Sequence, residues 1–146
     1  MTGDGRPVPD GSGSDEGPPV TVVTVSYFSA DSIGDCLDSV VSQSGVEPRV
    51  IVVDNGAPEA TGETETEGIC ADYDAVEYVA SDANDGYGAG VNRGFARADT
   101  EYLAAINPDA TFGDGALRRL VDRLGAGDGN ASDGPEGVAF AAPKIL

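Results

Sequence analysis

The chain has 146 residues, enough for one domain that can bury about 68–70% of its unfolded surface. Its 26 Asp and Glu against 8 Lys and Arg leave a formal net charge of −18, which argues against nucleic acid as a partner. No apolar run approaches the ~20 residues that cross a bilayer, and the first residues lack the basic start and apolar stretch of a secretory signal, so a cytoplasmic chain with no membrane segment is expected.

Residues 1–19 are rich in Gly, Pro and Ser without apolar periodicity and predict a disordered tail, leaving 20–146 as the folded domain. Val20 to Tyr27 (VTVVTVSY) is β-branched and mostly apolar, the composition of a buried parallel strand. A helix follows, with Asp31 or Ser32 as its cap and Ile33, Leu37 and Val41 on one apolar face beside Cys36 and Val40. Arg49 to Val53 is a second buried strand that ends on Asp54-Asn55-Gly56. Residues 61–72 are acidic and helix-compatible, with only Ile69, Cys70 and Ala71 clearly apolar. Val76 to Ala80 alternates enough to lie near a sheet edge. A glycine-rich stretch from Asn84 to Gly90 then runs into a short helix carrying Val91, Asn92, Phe95 and Ala98. Tyr102 to Ile106 is a fourth strand, ending on Asn107-Pro108-Asp109. Leu117, Leu120, Val121 and Leu124 mark an amphipathic helix, and Val138 to Ala142 a fifth strand. Cys36 and Cys70 form no metal-spacing motif.

Alternating strands and helices predict an α/β domain: a mostly parallel sheet with helices on both faces. Ligands of such sheets bind beyond the carboxyl ends of the strands. The polar residues gather there: Ser26 and Tyr27, then Asp54 and Asn55, then Asp82, Asn84 and the glycines, then Asn107 and Asp109. Parallel strands put all four sets on one rim, and Asp54 and Asp109 are expected to open onto a common cleft. Gly86, Gly88 and Gly90 let backbone amides approach a phosphate, or else form a flexible loop. Asp109 after Asn107-Pro108 is a single carboxylate able to share a divalent cation with a diphosphate, or else a turn residue.

Four blocks stand in order: Tyr27-Phe28-Ser29 after the first strand, IVVDNGA at 51–57, NDGYGAGVNRGF at 84–95 and NPDA at 107–110. Together they resemble the amino-terminal half of family 2 glycosyltransferases, in particular the rhamnosyltransferase-like branch, over about residues 20–146. The resemblance implies a Rossmann-like half of a GT-A fold that binds a nucleotide-diphosphate sugar through Mg²⁺ or Mn²⁺ for inverting transfer to an acceptor hydroxyl. It implies that Val25 and Tyr27 border the base and that Asp54 hydrogen-bonds it. Asn84, Asn92 and Arg93 would shape the nucleotide-sugar pocket, Asn107 would face the ribose or sugar, and Asp109 would hold the metal. Many relatives carry Asn where this chain has Phe28. The family's acceptor-binding half and catalytic base would lie downstream, and no residue here matches that base.

Two other readings stay open. Gly86, Gly88 and Gly90, with Asp109 some 20 residues on, suggest a dinucleotide-binding oxidoreductase turn, although the third glycine is missing at the required step. A truncated or noncatalytic nucleotide-binding remnant also fits. The many carboxylates, with Lys144 as the only lysine, match a cytoplasm of high salt, where a Debye length of about 3 Å screens self-repulsion.

Overall fold

The computed structural model describes residues 17–125. The expected tail at 1–16 and the expected strand at 138–142 lie outside them. Four strands form the sheet: β1 (Pro19–Ser26), β2 (Glu47–Asp54), β3 (Val76–Ala80) and β4 (Tyr102–Ala105). Their order is β3-β2-β1-β4, and every pairing is parallel. Four helices connect or follow them: α1 (Ala30–Val41), α2 (Glu65–Cys70), α3 (Tyr87–Arg97) and α4 (Ala116–Gly125), with a short 3₁₀ turn at Ala57–Glu59.

The central strands β1 and β2 are mostly apolar where both faces are covered, whereas the edge strands β3 and β4 are only partly buried. On one face Val20, Val22, Val50 and Val52 pack with Ile33, Cys36, Leu37 and Val40 of α1, Cys70 of α2, and Leu117 and Val121 of α4. On the other, Val23, Val25, Ile51 and Val53 pack under Val91 and Phe95 of α3. The strongly acidic α2 is held by its cap: Thr64 Oγ1 accepts from the Glu67 amide at 3.0 Å, and Cys70 reaches the core. Helix α1 is capped by Ser29, not by Asp31 or Ser32. The Ser29 carbonyl accepts from the amides of both Ser32 and Ile33, so those residues already belong to the first turn. Buried Gln43 links the end of α1 to α4, donating to the Gly113 carbonyl at 2.9 Å and accepting from the Leu117 amide at 3.0 Å.

Helix α3 lies on the sheet through two glycines. A Cβ on Gly90 would stand 2.7 Å from Val25 Cγ1, and one on Gly94 would stand 2.5 Å from Val23 Cγ1. Gly90 therefore serves close packing and not phosphate approach, which corrects one of its two sequence readings. Gly94→Ala is expected to lower stability, because overpacking costs about 1–3 kcal/mol and outweighs the helix-propensity gain of about 1 kcal/mol. Gly34→Ala in α1 meets nothing within 4 Å and should show only the gain. Denaturant midpoints that move the same way for both variants would disprove this close approach.

Candidate functional site

Because the strands are parallel, their carboxyl ends share one rim, as the polar residues predicted. The clearest concavity on it is a cleft of about 250 Å³ lined by Phe28, Asp31, Asp54, Thr64, Glu65 and Thr66 among others. A larger cleft of about 300 Å³ lies at the opposite end, around Arg49, Asp74, Arg97 and Asp99. Its arginines are already paired, Arg49 with Glu47 and Asp99, Arg97 with Glu77. It also faces away from the rim where parallel sheets bind ligands.

Asp54 ends β2 and is only 1% exposed. Its Oδ1 accepts from the Gly56 amide at 2.9 Å. Its Oδ2 accepts from Thr64 Oγ1 at 2.7 Å and from the Tyr78 hydroxyl at 2.6 Å. The expectation that Asp54 and Asp109 open together onto one cleft is corrected here: Asp54 borders a cleft that Asp109 does not line, and its carboxylate is largely taken up by its own neighbours. An ionised carboxylate offers about four lone-pair sites, so three bonds leave one, on Oδ1. Burial, and then the bond to Asp54, push the Tyr78 phenol well above its ordinary range.

Asn55 turns inward as well. Its amide donates to the Gly86 carbonyl at 3.1 Å and its carbonyl accepts from Ser81 Oγ at 2.6 Å, tying the end of β3 to the start of α3. Ser26 is fully buried and bonds Thr66 Oγ1. Val25 is 7% exposed and packs under Gly90, so its side chain belongs to the core and not to the rim surface.

Tyr27 and Phe28 follow β1 and are exposed. The Tyr27 hydroxyl donates to the Glu59 carboxylate, which raises its pKa. Phe28 has φ 54, left-handed backbone that Asn tolerates and an aromatic residue seldom adopts. Such a residue costs of order 1–3 kcal/mol.

Gly86, at φ 100, caps α3 and supplies no side-chain acceptor to the first-turn amides. Asn84 Oδ1 accepts from the Gly86 amide at 3.2 Å. Arg93 Nη2 donates to Asp85 at 3.0 Å, while its buried Nη1 has no partner among the described residues. Asn92 is exposed on α3. Beyond β4, Asn107 and Asp109 are exposed in a turn whose Asn107 carbonyl accepts from the Ala110 amide at 3.0 Å. Asp109 makes no ion pair with another described residue. The Cys36 thiol is raised to about 11, chiefly by burial, against a hydrogen bond with Thr24 that lowers it and with a smaller push from the Asp109 charge.

The rim thus has three parts. Phe28 and Asp54 line the cleft with Tyr27 packed edge-on against Phe28, Asn84 and Arg93 flank the start of α3, and Asn107 and Asp109 stand past β4. The cleft includes none of Asn84, Asn92, Arg93, Asn107 or Asp109. Glu59, Thr64 and Tyr78 were not singled out from sequence. Only the alternation that turns Tyr78 toward the Asp54 side hints at them, through its pairing with Val52.

No group of three His, Cys, Asp or Glu gathers as a metal cage among the described residues. One exposed carboxylate still fits a cation that takes its other ligands from phosphate and water, as Mg²⁺ commonly does. No helix of the described residues is long and apolar enough to cross a membrane.

Residues 21–137 match the model of glycosyl transferase family 2. The chain belongs to this family. It is 34% identical over 113 residues to the succinoglycan biosynthesis protein ExoO of Rhizobium meliloti (strain 1021), covering 77% of this chain and 31% of that protein. It is 32% identical over 109 residues to the glycosyltransferase AglE of Haloferax volcanii, covering 73% and 36%. The chain of this glycosyltransferase family 2 member spans about a third of the length of these relatives. Among solved structures, S. aureus TarS 1-349 in complex with UDP-GlcNAc superposes with a TM-score of 0.64 at 19% identity, over 86% of this chain and 37% of that one. The mannosyltransferase PcManGT from Pyrobaculum calidifontis in complex with GDP-Man and Mn²⁺ gives 0.56 at 22%, over 68% and 30%. These neighbours establish the fold, a Rossmann-like amino-terminal half of GT-A type. Family membership removes the dinucleotide oxidoreductase reading.

Proposed function

We propose that this domain binds a nucleotide-diphosphate sugar for inverting transfer to an acceptor hydroxyl. The observation that carries the proposal is how the rim sorts charge. The cleft at Asp54 is lined by Asp31, Asp54 and Glu65 and by no cation, so it suits the neutral, N–H-donating edge of a base. The start of α3 offers the opposite: first-turn amides with no side-chain cap and a guanidinium nitrogen of Arg93 with no partner among the described residues, which suit a diphosphate.

In this reading the base donates to the remaining Oδ1 lone pair of Asp54, with Tyr27 beside it and Val25 supporting the strand end from beneath. Asn84 and Asn92 flank the phosphates with Arg93, Asn107 faces the ribose or sugar, and Asp109 holds Mg²⁺ or Mn²⁺. When bound, such a cation neutralises charge on the departing diphosphate. The chain's own residues fix the nucleotide, and an acceptor-activating base lies outside the positions we assign. The NDGYGAGVNRGF and NPDA blocks favour the rhamnosyltransferase-like branch, and the acidity favours a salt-rich cytoplasm.

Calorimetric titration with UDP and dTDP in molar KCl tests the proposal. Binding is expected to strengthen with Mg²⁺ or Mn²⁺ in the native chain, and Asp109→Ala should abolish that metal increment while keeping the fold. An Asp109→Ala chain with the full increment removes the metal role. No binding of either nucleotide removes the function.

A further inference from the structure

Phe28 carries two unfavourable features with no structural return. Its backbone is left-handed at φ 54, and its ring is 59% exposed. It belongs to neither hydrophobic core. Strain of this kind persists only where the surroundings impose it, and it concentrates at ligand sites. What the surroundings impose is the ring's position. Tyr27 braces it edge-on, with centroids 4.7 Å apart and planes at 71°, and Tyr27 is itself tied to Glu59. The ring stands over the turn after β2: the point where a Cβ on Gly56 would sit is 3.4 Å from the ring and 3.3 Å from Asp54 Oδ1. Phe28 is therefore a wall of the cleft beside the one free lone pair of Asp54.

From this geometry we infer that Phe28 is a base-binding residue whose ring stacks on the nucleobase. The inference rests on the nucleotide-binding reading above. A planar base that points an N–H at Asp54 Oδ1 must pass the Phe28 ring, while Thr64 and Thr66 line the cleft with polar edges. Aromatic stacking accepts any base face, so Phe28 supplies affinity for the base and Asp54 supplies orientation.

The test compares wild type, Phe28→Asn and Phe28→Tyr in molar KCl, each titrated with UDP and with inorganic pyrophosphate in the presence of Mn²⁺. Phe28→Asn should weaken UDP binding by about ten- to a hundredfold, leave pyrophosphate binding unchanged, and raise the thermal midpoint because Asn accepts the left-handed backbone. Phe28→Tyr should retain UDP binding. Phe28→Asn binding UDP within twofold of wild type overturns the inference and leaves the nucleotide site standing. A parallel loss of UDP and pyrophosphate also overturns it, since the ring then acts on the whole site and not on the base. A wild type that binds pyrophosphate but shows no added affinity for UDP overturns both the inference and the base assignment of Asp54.

Discussion

In dilute buffer the chain is expected to lose its helical circular dichroism, and in molar KCl to regain it. The net charge is −18. A folded domain of this size has a radius of gyration of about 13 Å, so at 0.01 M salt, with a Debye length of about 30 Å, every surface carboxylate repels every other. Unfolding relieves that repulsion by spreading the charges apart. The ion pairs pull the other way but are weak. Those among the described residues join partly or largely exposed side chains, Arg49 with Glu47 and Asp99, Arg93 with Asp85, and Arg118 with Asp122 among them. Exposed pairs contribute roughly 0–1 kcal/mol each and are themselves screened by salt. Repulsion therefore decides the sign, and stability rises with KCl. An ellipticity and a thermal midpoint that stay constant from millimolar to molar KCl would refute this account and the salt-adapted reading of the composition.

The two central strands were legible because burial on both faces demands nearly continuous apolar or β-branched runs: Val50 to Val53 is unbroken, and Val20 to Val25 is interrupted only by the buried threonines Thr21 and Thr24. The shared rim was legible for the same reason, since alternation with helices forces parallel strands. The direction in which the rim's polar side chains turn was not. Asn55 follows β2 in sequence as a ligand-facing residue would, yet it is spent on Ser81 and Gly86, residues 26 and 31 positions away. Asp54 likewise finds Thr64 and Tyr78 at separations of 10 and 24. Partners so distant leave no local pattern. Gly90 misled for a related reason: a glycine that admits a phosphate and one that admits Val25 look alike in one dimension. The left-handed turn at Phe28 was hidden because a residue's type is weak evidence of strain that its neighbours impose.

Asp54→Ala is expected to destabilise the domain by about 2–4 kcal/mol in molar salt. Three donors lose their acceptor at once: the Gly56 amide and the hydroxyls of Thr64 and Tyr78. Each buried donor left unpaired costs about 1–3 kcal/mol, and half-buried Tyr78 recovers part of its share from water. Asp54→Asn should cost less. Its carbonyl still serves Gly56, and the two hydroxyls can turn to accept from the amide. The two variants therefore separate loss of a hydrogen-bonded hub from loss of charge. Tyr78 supplies an independent readout. Its phenol is held above its unfolded value of 10.0, first by burial and then by the Asp54 carboxylate. A raised folded pKa gives stability that is complete below pH 10.0 and is lost as pH rises through the folded value. Without the carboxylate, Asp54→Asn should move that tyrosine's titration, followed by tyrosinate absorbance, toward lower pH, though burial keeps it above 10.0. A native chain and an Asp54→Asn variant with superimposable tyrosinate curves would show that the two groups do not meet. An Asp54→Ala variant as stable as the native chain would show that the hub carries no stability.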